Sequence, residues 1–303
     1  MERSAREQAT LLPPAPGVYR FRDTSGRVLY LGRATSLRQR VASYWGELKD
    51  RRHLTPMVAK ITRIEAVACD SAHEAAWLER NLLQTRKPPW NRVDKGGQEV
   101  EVWIRLREDQ RGPGITAVHG RNETDRHFGP YLGGRQVRLA VSGLGRVLPL
   151  HYAGGALTGT RQDMARLRGI SEADRSLLAS RAAAVLDRDP AAVSHAKASL
   201  TERRDAASAA LAFELAAKLQ HEIEALDWVT AEQKVTRSSS DDHTVCGWSG
   251  GRLVRFEIQA GRLTSWTERR CSAAAASGEL EQTPPEWTAF AVRNAELAAC
   301  LAV

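Results

Sequence analysis

GVYRFRDTSGRVLYLG, residues 17–32, is the stretch on which the fold of this 303-residue chain turns. Residues 17–22 (GVYRFR) and 28–32 (VLYLG) alternate in character and are rich in β-branched and aromatic residues, and Asp23-Thr24-Ser25-Gly26 between them is turn chemistry. The stretch predicts a β-hairpin. Upstream, Pro13, Pro14 and Pro16 keep the chain extended. Downstream, Ser36 is placed to N-cap a helix over residues 37–45, with Leu37, Val41, Tyr44 and Trp45 on one side. A second helix is expected around residues 56–62 and a strand over residues 63–69 (RIEAVAC). Ser71-Ala72-His73-Glu74 reads as a capping box opening a helix that runs to about Arg86, where Lys87-Pro88-Pro89 stops it. The order β-β-α-α-β-α predicts a small α/β (α+β) domain: a three-stranded, mostly antiparallel sheet flanked by helices.

Beyond residue 97 the pattern changes. Residues 98–158 predict a small α/β connector, with a strand over 101–107, a polar turn-rich stretch over 110–126, a tight turn at His127-Phe128-Gly129-Pro130-Tyr131 and a helix over 136–148. Residues 159–237 are Ala-rich, charged and helical, and 192–207 with 209–226 predict an antiparallel helical hairpin. Residues 238–242 read as a linker and 243–270 as two or three short strands, so 238–303 is expected to be a β-rich segment.

Composition narrows the function. The formal charge is +8, and its excess is local: residues 1–100 hold 18 Lys/Arg against 11 Asp/Glu, whereas 101–303 hold 26 against 25. A basic N-terminal third favours polyanions, nucleic acid first, although Arg outnumbers Lys 37 to 7, the signature of a GC-rich genome. Cys69, Cys246, Cys271 and Cys300 fit no metal or redox spacing. No apolar run is long enough to span a membrane, and MERSAREQATLLPP has no signal-peptide core. A cytoplasmic protein without a membrane partner is expected.

The helix opened by Ser71 carries an anomaly. Its wheel puts Leu78, Leu82 and Leu83 on an apolar arc and Arg80 and Asn81 on a polar face, yet Glu79 falls inside the apolar arc. A carboxylate there needs a partner: an arginine, a proton or a metal ion. His53 and His73 lack ligand spacing and read as surface groups, and the eight Trp read mainly as core. Tyr19 and Tyr30 lie on the two hairpin strands, Arg33 follows the second, Arg40 and Tyr44 share one helix face, and Asn91 follows a Pro-Pro-Trp turn.

Together these residues resemble the GIY-YIG nuclease family. GVY and YLG stand for its two signature tripeptides, with Arg40, Glu79 and Asn91 completing the set. Residues 12–91 resemble more closely the N-terminal domain of the UvrC family of excinucleases, the match continuing through HFGPYLGGRQVR and resuming at ALAFELAAKLQHEIEAL, which looks like a UVR motif. The resemblance implies metal-assisted hydrolysis of a phosphodiester by direct water attack. Glu79 would be the single protein ligand of one Mg²⁺ or Mn²⁺, which commonly keeps several waters. Tyr19 would be the general base or relay, with Tyr30 its rival; because a free phenol ionises near pH 10, nearby Arg or metal charge must favour the ionised form. Arg40 would hold the scissile phosphate, Arg33 would add a second phosphate contact where relatives often have Lys, and Tyr44 and Asn91 would orient water, metal or backbone. Arg33, Arg38, Arg40, Trp45 and Lys60 would meet DNA, with Trp90 close by. Phe213, Glu214, Ala216 and Ala217 would form the UVR-like contact with UvrB, although Leu219-Gln220-His221 stands where relatives often have Arg-Asp.

The resemblance also implies differences. Residues 148–169 lack the cysteines that hold an iron–sulfur cluster in many relatives, so no cluster is expected. Residues 243–270 resemble at most the opening of the family's second, RNase-H-like nuclease, leaving one cutting site, as in short UvrC homologues of the excinuclease Cho kind. The expected function is a 3′ incision beside a lesion in damaged double-stranded DNA. A non-cutting adaptor for UvrB or DNA, or a UvrB-independent structure-selective nuclease, stays open.

Overall fold

A computed structural model describes residues 3–91, 100–109 and 112–302. The chain forms two units, one made of Met1–Lys95 with Glu232–Val303 and the other of Gly96–Ala231. The expected boundary between residues 97 and 98 lies outside the described residues.

The first unit begins with α1 (Ala5–Leu11), whose N-cap Ser4 and Glu7 form a reciprocal capping box. Strands β1 (Gly17–Arg22) and β2 (Val28–Ala34) form the hairpin, and the Asp23 carboxylate accepts the N–H groups of Ser25 and Arg27 at 3.0 and 2.9 Å to fix its turn. α2 (Leu37–Ala42) then tightens into a 3₁₀ turn over Ser43–Trp45, one turn earlier than the expected helix end. Ser36 occupies the N-cap position, but its side chain makes no capping bond. The second expected helix is only α3 (Thr55–Val58), preceded by a 3₁₀ segment. Strand β3 (Arg63–Ala68) and helix α4 (Ala72–Thr85) follow. The sheet order is β2-β1-β3, both pairings antiparallel.

α4 departs from its predicted faces. Ser71 accepts the Glu74 N–H at 3.0 Å, but the Glu74 carboxylate does not return to Ser71; it accepts the N–H groups of Asp70 and Lys234 at 2.7 and 2.8 Å. His73 and Asn81, expected at the surface, are buried. Helix α4 packs against β1 and β2 and also against the C-terminal strand β9 (Arg262–Arg270), which leaves little of it for solvent.

In the second unit, β4 (Glu101–Arg107) pairs with β5 (Gly114–Val118) and β6 (Arg126–Leu132) in the order β5-β4-β6. Two expectations are corrected here. The turn-rich stretch contains β5, and the expected turn at 127–131 is part of β6. A register shift between Val102 and Ile104 lets β6 carry Gly129-Pro130 without asking the proline for a ladder hydrogen bond. α5 (Gly134–Val147) lies on this sheet, followed by α6 (Thr160–Leu167), α7 (Arg175–Leu186) and the long antiparallel pair α8 (Pro190–Ala209) and α9 (Phe213–Thr230). One apolar core joins the sheet, α5 and the α8–α9 pair.

The C-terminal stretch returns to the first unit. β7 (His243–Ser249), β8 (Arg252–Gln259) and β9 form an antiparallel meander, then α10 (Ala273–Leu280) and α11 (Pro285–Leu301) close the chain. Asn294 on α11 accepts the Ala68 N–H at 2.7 Å and donates to the Ala68 carbonyl at 3.2 Å, pairing with the free edge of β3. Arg20 lies 3.7 Å from the Trp266 ring and donates to the Trp266 carbonyl at 3.1 Å. Glu65 gathers Arg20, Arg22 and Arg63, and Arg63 reaches Glu268 at 2.9 Å. Among the described residues no helix is long and apolar enough to cross a membrane.

Candidate active site

The hairpin register places Tyr19 opposite Gly32 and Phe21 opposite Tyr30. Residues two apart on a strand share a face, so Tyr19, Phe21, Tyr30 and the open space over Gly32 lie together. That space is required. A Cβ at residue 32 would sit 2.7 Å from the Tyr19 hydroxyl and 2.8 Å from the Tyr30 ring. The first glycine serves the packing of the sheet instead. A Cβ at Gly17 would run into the Val67 carbonyl and come within 2.7 Å of Leu37, forcing β1 away from β3 and α2.

α2 and the turn after it bring Arg40 and Tyr44 over this face. The Tyr19 and Tyr44 hydroxyls are 2.8 Å apart, and the rings of Tyr19, Tyr30 and Tyr44 stand 6.0–6.3 Å from one another. Tyr44 packs edge-on against Phe21 at 4.9 Å. Arg40 lies 5.9 Å from the Tyr44 ring centre, close enough for its charge to act on Tyr19. Tyr19 and Tyr44 are buried, whereas Tyr30 and Arg40 are half-buried.

Burial governs the ionisation of these phenols. Desolvation pushes the Tyr19 pKa well above 10, with Tyr44 and Tyr30 adding to the rise and Arg40 opposing it. Tyr30 is raised by burial, by Tyr44 and by the nearby charge of Glu79. Among the protein's own groups, desolvation outweighs the opposing charge of Arg40 at Tyr19, so ionisation there would call on the charge of a metal ion. Arg40 itself loses some basicity to burial, but the three tyrosines more than restore it.

Glu79 sits at the edge of the buried face of α4, its side chain 23% exposed. One carboxylate oxygen accepts the Arg33 N–H at 3.2 Å and the other lies 3.3 Å from Arg33 Nε. The misplaced carboxylate thus has an arginine partner. Among the described residues no three His, Cys, Asp or Glu side chains cluster as a metal site, so a cation at Glu79 would take one carboxylate and complete its shell with water.

Asn91 faces the backbone. It accepts the Leu31 N–H at 3.0 Å and donates to the Leu31 carbonyl at 2.7 Å, while Trp90 N–H bonds to Leu29 O at 3.1 Å. The Pro-Pro-Trp-Asn turn so closes the edge of β2, the strand that carries Tyr30. Arg38 donates to Leu12 O at 2.7 Å, Trp45 packs against Phe21 at 6.2 Å, and Lys60 lies 5.8 Å from the Trp90 ring.

Sequence reasoning missed the supports of α4. Asn81 donates to Val235 O at 3.2 Å and to Thr236 Oγ1 at 2.9 Å. Asn81 and the buried Glu74 tie the helix that carries Glu79 to residues more than 150 positions away, and no local pattern signals that pairing. In the second unit, Phe213, Glu214, Ala216 and Ala217 fall on the first turns of α9. Phe213 is exposed, as are Leu211 in the preceding turn and Leu215, while Ala216 packs into the unit's core.

Comparison with known proteins gives the same direction. Residues 15–92 match the UvrC-like GIY-YIG domain. The chain is 31% identical over 266 residues to UvrABC system protein C of Symbiobacterium thermophilum, covering 80% of this chain and 40% of that protein. It is 30% identical over 300 residues to the Gloeobacter violaceus protein of the same name, covering 90% of this chain and 45% of that one. The chain spans less than half the length of these relatives. It is also similar to the crystal structure of the GIY-YIG N-terminal endonuclease domain of UvrC from Thermotoga maritima bound to magnesium, at 28% identity and a TM-score of 0.28, covering 30% of this chain and all of that one.

Proposed function

Residues 15–92 are a UvrC-like GIY-YIG domain, and from that premise we propose that the chain is a metal-dependent DNA endonuclease making a 3′ incision beside a lesion in UvrABC-type excision repair. The observation that supports this reading is the clustering of Tyr19, Tyr30, Tyr44 and Arg40 on one face of a three-stranded sheet, with the Arg33-paired Glu79 near enough for its charge to act on Tyr30.

The roles follow from burial and charge. Glu79 offers a carboxylate for one Mg²⁺ or Mn²⁺, and such an ion supplies Lewis acidity to a phosphodiester and lowers the pKa of bound water. Arg40, kept charged and half-exposed, holds the scissile phosphate and stabilises charge developing on it. Arg33, exposed at the edge of the site, adds a second phosphate contact. Tyr19 serves the attacking water as general base or hydrogen-bond relay, with Tyr30, the more accessible of the two, as its rival. Asn91 positions Tyr30 through the backbone of β2. The exposed Leu211, Phe213 and Leu215 support a partner contact at the α8–α9 turn, for which UvrB is the proposed occupant.

The test is an incision assay with UvrA, UvrB, Mg²⁺ and a duplex bearing one site-specific lesion. Wild type should nick 3′ to the lesion, and Glu79→Ala should lose that activity; equally little nicking by both proteins overturns the proposal. Omitting UvrB separates a partner-dependent enzyme from a structure-selective nuclease that acts alone. Capture of UvrB by wild type but not by Phe213→Ala supports the α8–α9 contact.

A further inference from the structure

The second unit holds a cleft of about 530 Å³ between β5, the C-terminal half of α5, the 3₁₀ turn Leu150–Tyr152 and α6. Arg107, Arg146, Arg161 and Arg168 line it with His151 and Tyr152, and among the described residues no Asp or Glu does. The four guanidinium groups come from β4, α5, the start of α6 and the residue after α6, so the fold gathers them from four places. Arg146 is matched by a carboxylate: Glu222, buried behind it, bonds to Arg146 at 2.6 Å and accepts the Ser142 hydroxyl at 2.7 Å. Arg107 donates to the Gly112 carbonyl, and Arg168 lies 5.2 Å from the Tyr152 ring. Burial first, then the charges of Arg168 and Arg161, lowers the pKa of His151 beside them.

A concave site with several guanidiniums and a buried counter-charge behind one of them is matched to an anion with many acceptor oxygens. We propose that this cleft binds phosphate groups, presented to it by the backbone of a DNA strand. Arg161 and Arg168, both exposed, form the outer contacts, and Arg146, fixed by Glu222, forms the inner one. The site lies in a different unit from the proposed cutting site, and its test reads binding, so it can fail while Glu79-dependent cleavage stands, and the reverse.

The experiment uses the full chain with labelled single-stranded and duplex DNA, titrated at several salt concentrations. Each phosphate contact contributes about 0.9 to the slope of log K against log salt for duplex DNA, so the double variant Arg161→Ala/Arg168→Ala should flatten that slope by roughly 1.8 and weaken binding at low salt. Arg161→Glu alone should weaken it further than Arg161→Ala. A matched pair of exposed arginines off the cleft, Arg135→Ala/Arg203→Ala, should change the slope less; an equal change overturns the cleft as the site. Inorganic tripolyphosphate distinguishes the source of phosphate. If it binds wild type tightly, loses binding in the cleft variant, and the DNA slope is unaltered, the strand is overturned as ligand in favour of a free polyphosphate. An unaltered slope without tripolyphosphate binding overturns the proposal entirely. Circular dichroism confirms that the variants fold.

Discussion

Replacing Gly32 with alanine should damage the tyrosine cluster more than its size suggests. The added Cβ would lie 2.7 Å from the Tyr19 hydroxyl, where ordinary contacts begin at 3.4 Å. Tyr19 has nowhere to retreat: it is fully buried, with the Phe21 ring at 5.2 Å and the Tyr44 hydroxyl at 2.8 Å. Either β2 leaves β1 or Tyr19 swings and breaks its bond to Tyr44. Overpacking of this kind costs about 1–3 kcal/mol, and a lost buried hydrogen bond about 0.5–1.5 kcal/mol more. The Gly→Ala gain from a stiffer unfolded chain, about 0.4–1 kcal/mol, offsets only part of it. The net expectation is a loss of about 1–3 kcal/mol, read as a lower urea midpoint, with nicking reduced in parallel. Gly26→Ala is the comparator: its φ is +77° and nothing lies within 4 Å, so it should cost backbone strain alone and leave nicking intact. Tyr19→Phe in the Gly32→Ala background removes the atom nearest the clash, and the double variant should be more stable than the sum of the single effects allows. A Gly32→Ala protein with wild-type midpoint and activity, or strict additivity in the cycle, refutes the packing argument.

Three further expectations can be checked separately. Asn91→Ala removes two hydrogen bonds to Leu31 and should cost about 1–3 kcal/mol in urea unfolding while lowering nicking through displacement of Tyr30. Asp70 should govern part of the acid stability: burial opposes its ionisation, but Arg293 at 2.7 Å and Lys234 at 3.0 Å outweigh burial and hold its pKa below 3.8. A depressed carboxylate pKa gives stability that is present above the unfolded value and lost as pH falls through the folded one, so Asp70→Asn should be less stable at neutral pH and show a shallower loss below about pH 4. Ultraviolet titration of wild type against Tyr19→Phe should show no phenolate from Tyr19 at or below pH 10; a Tyr19 transition near neutrality would contradict the burial argument.

What could be read from the sequence was local. The hairpin followed from alternation and an Asp-Thr-Ser-Gly turn, and Glu79 betrayed itself by sitting against its own helix's pattern. The misreadings on α4 share one cause, contacts made far along the chain. Asn81 fell on the polar side of its wheel, yet residues 235 and 236 cover it. His73 is buried on a helix packed between two sheets, where it accepts the Trp77 Nε1–H at 3.1 Å. The strand β6 was hidden by Gly129-Pro130, which propensity assigns to a turn and which a register shift accommodates. The burial that raises the Tyr19 pKa could not be foreseen either, because a residue's desolvation depends on everything folded around it.

The first unit is discontinuous, and that sets a timetable. Ribosomes add about 5–20 residues per second, so the roughly 200 residues separating Lys95 from the end of α11 take about 10–40 s to appear. Through that interval the edge of β3 waits for Asn294, Arg20 for Trp266, and α4 for residues 234–236. The Glu79-bearing helix gains its anchors only once residues 234–270 have been made, so the support of that helix depends on chain that emerges about 150 residues or more after it.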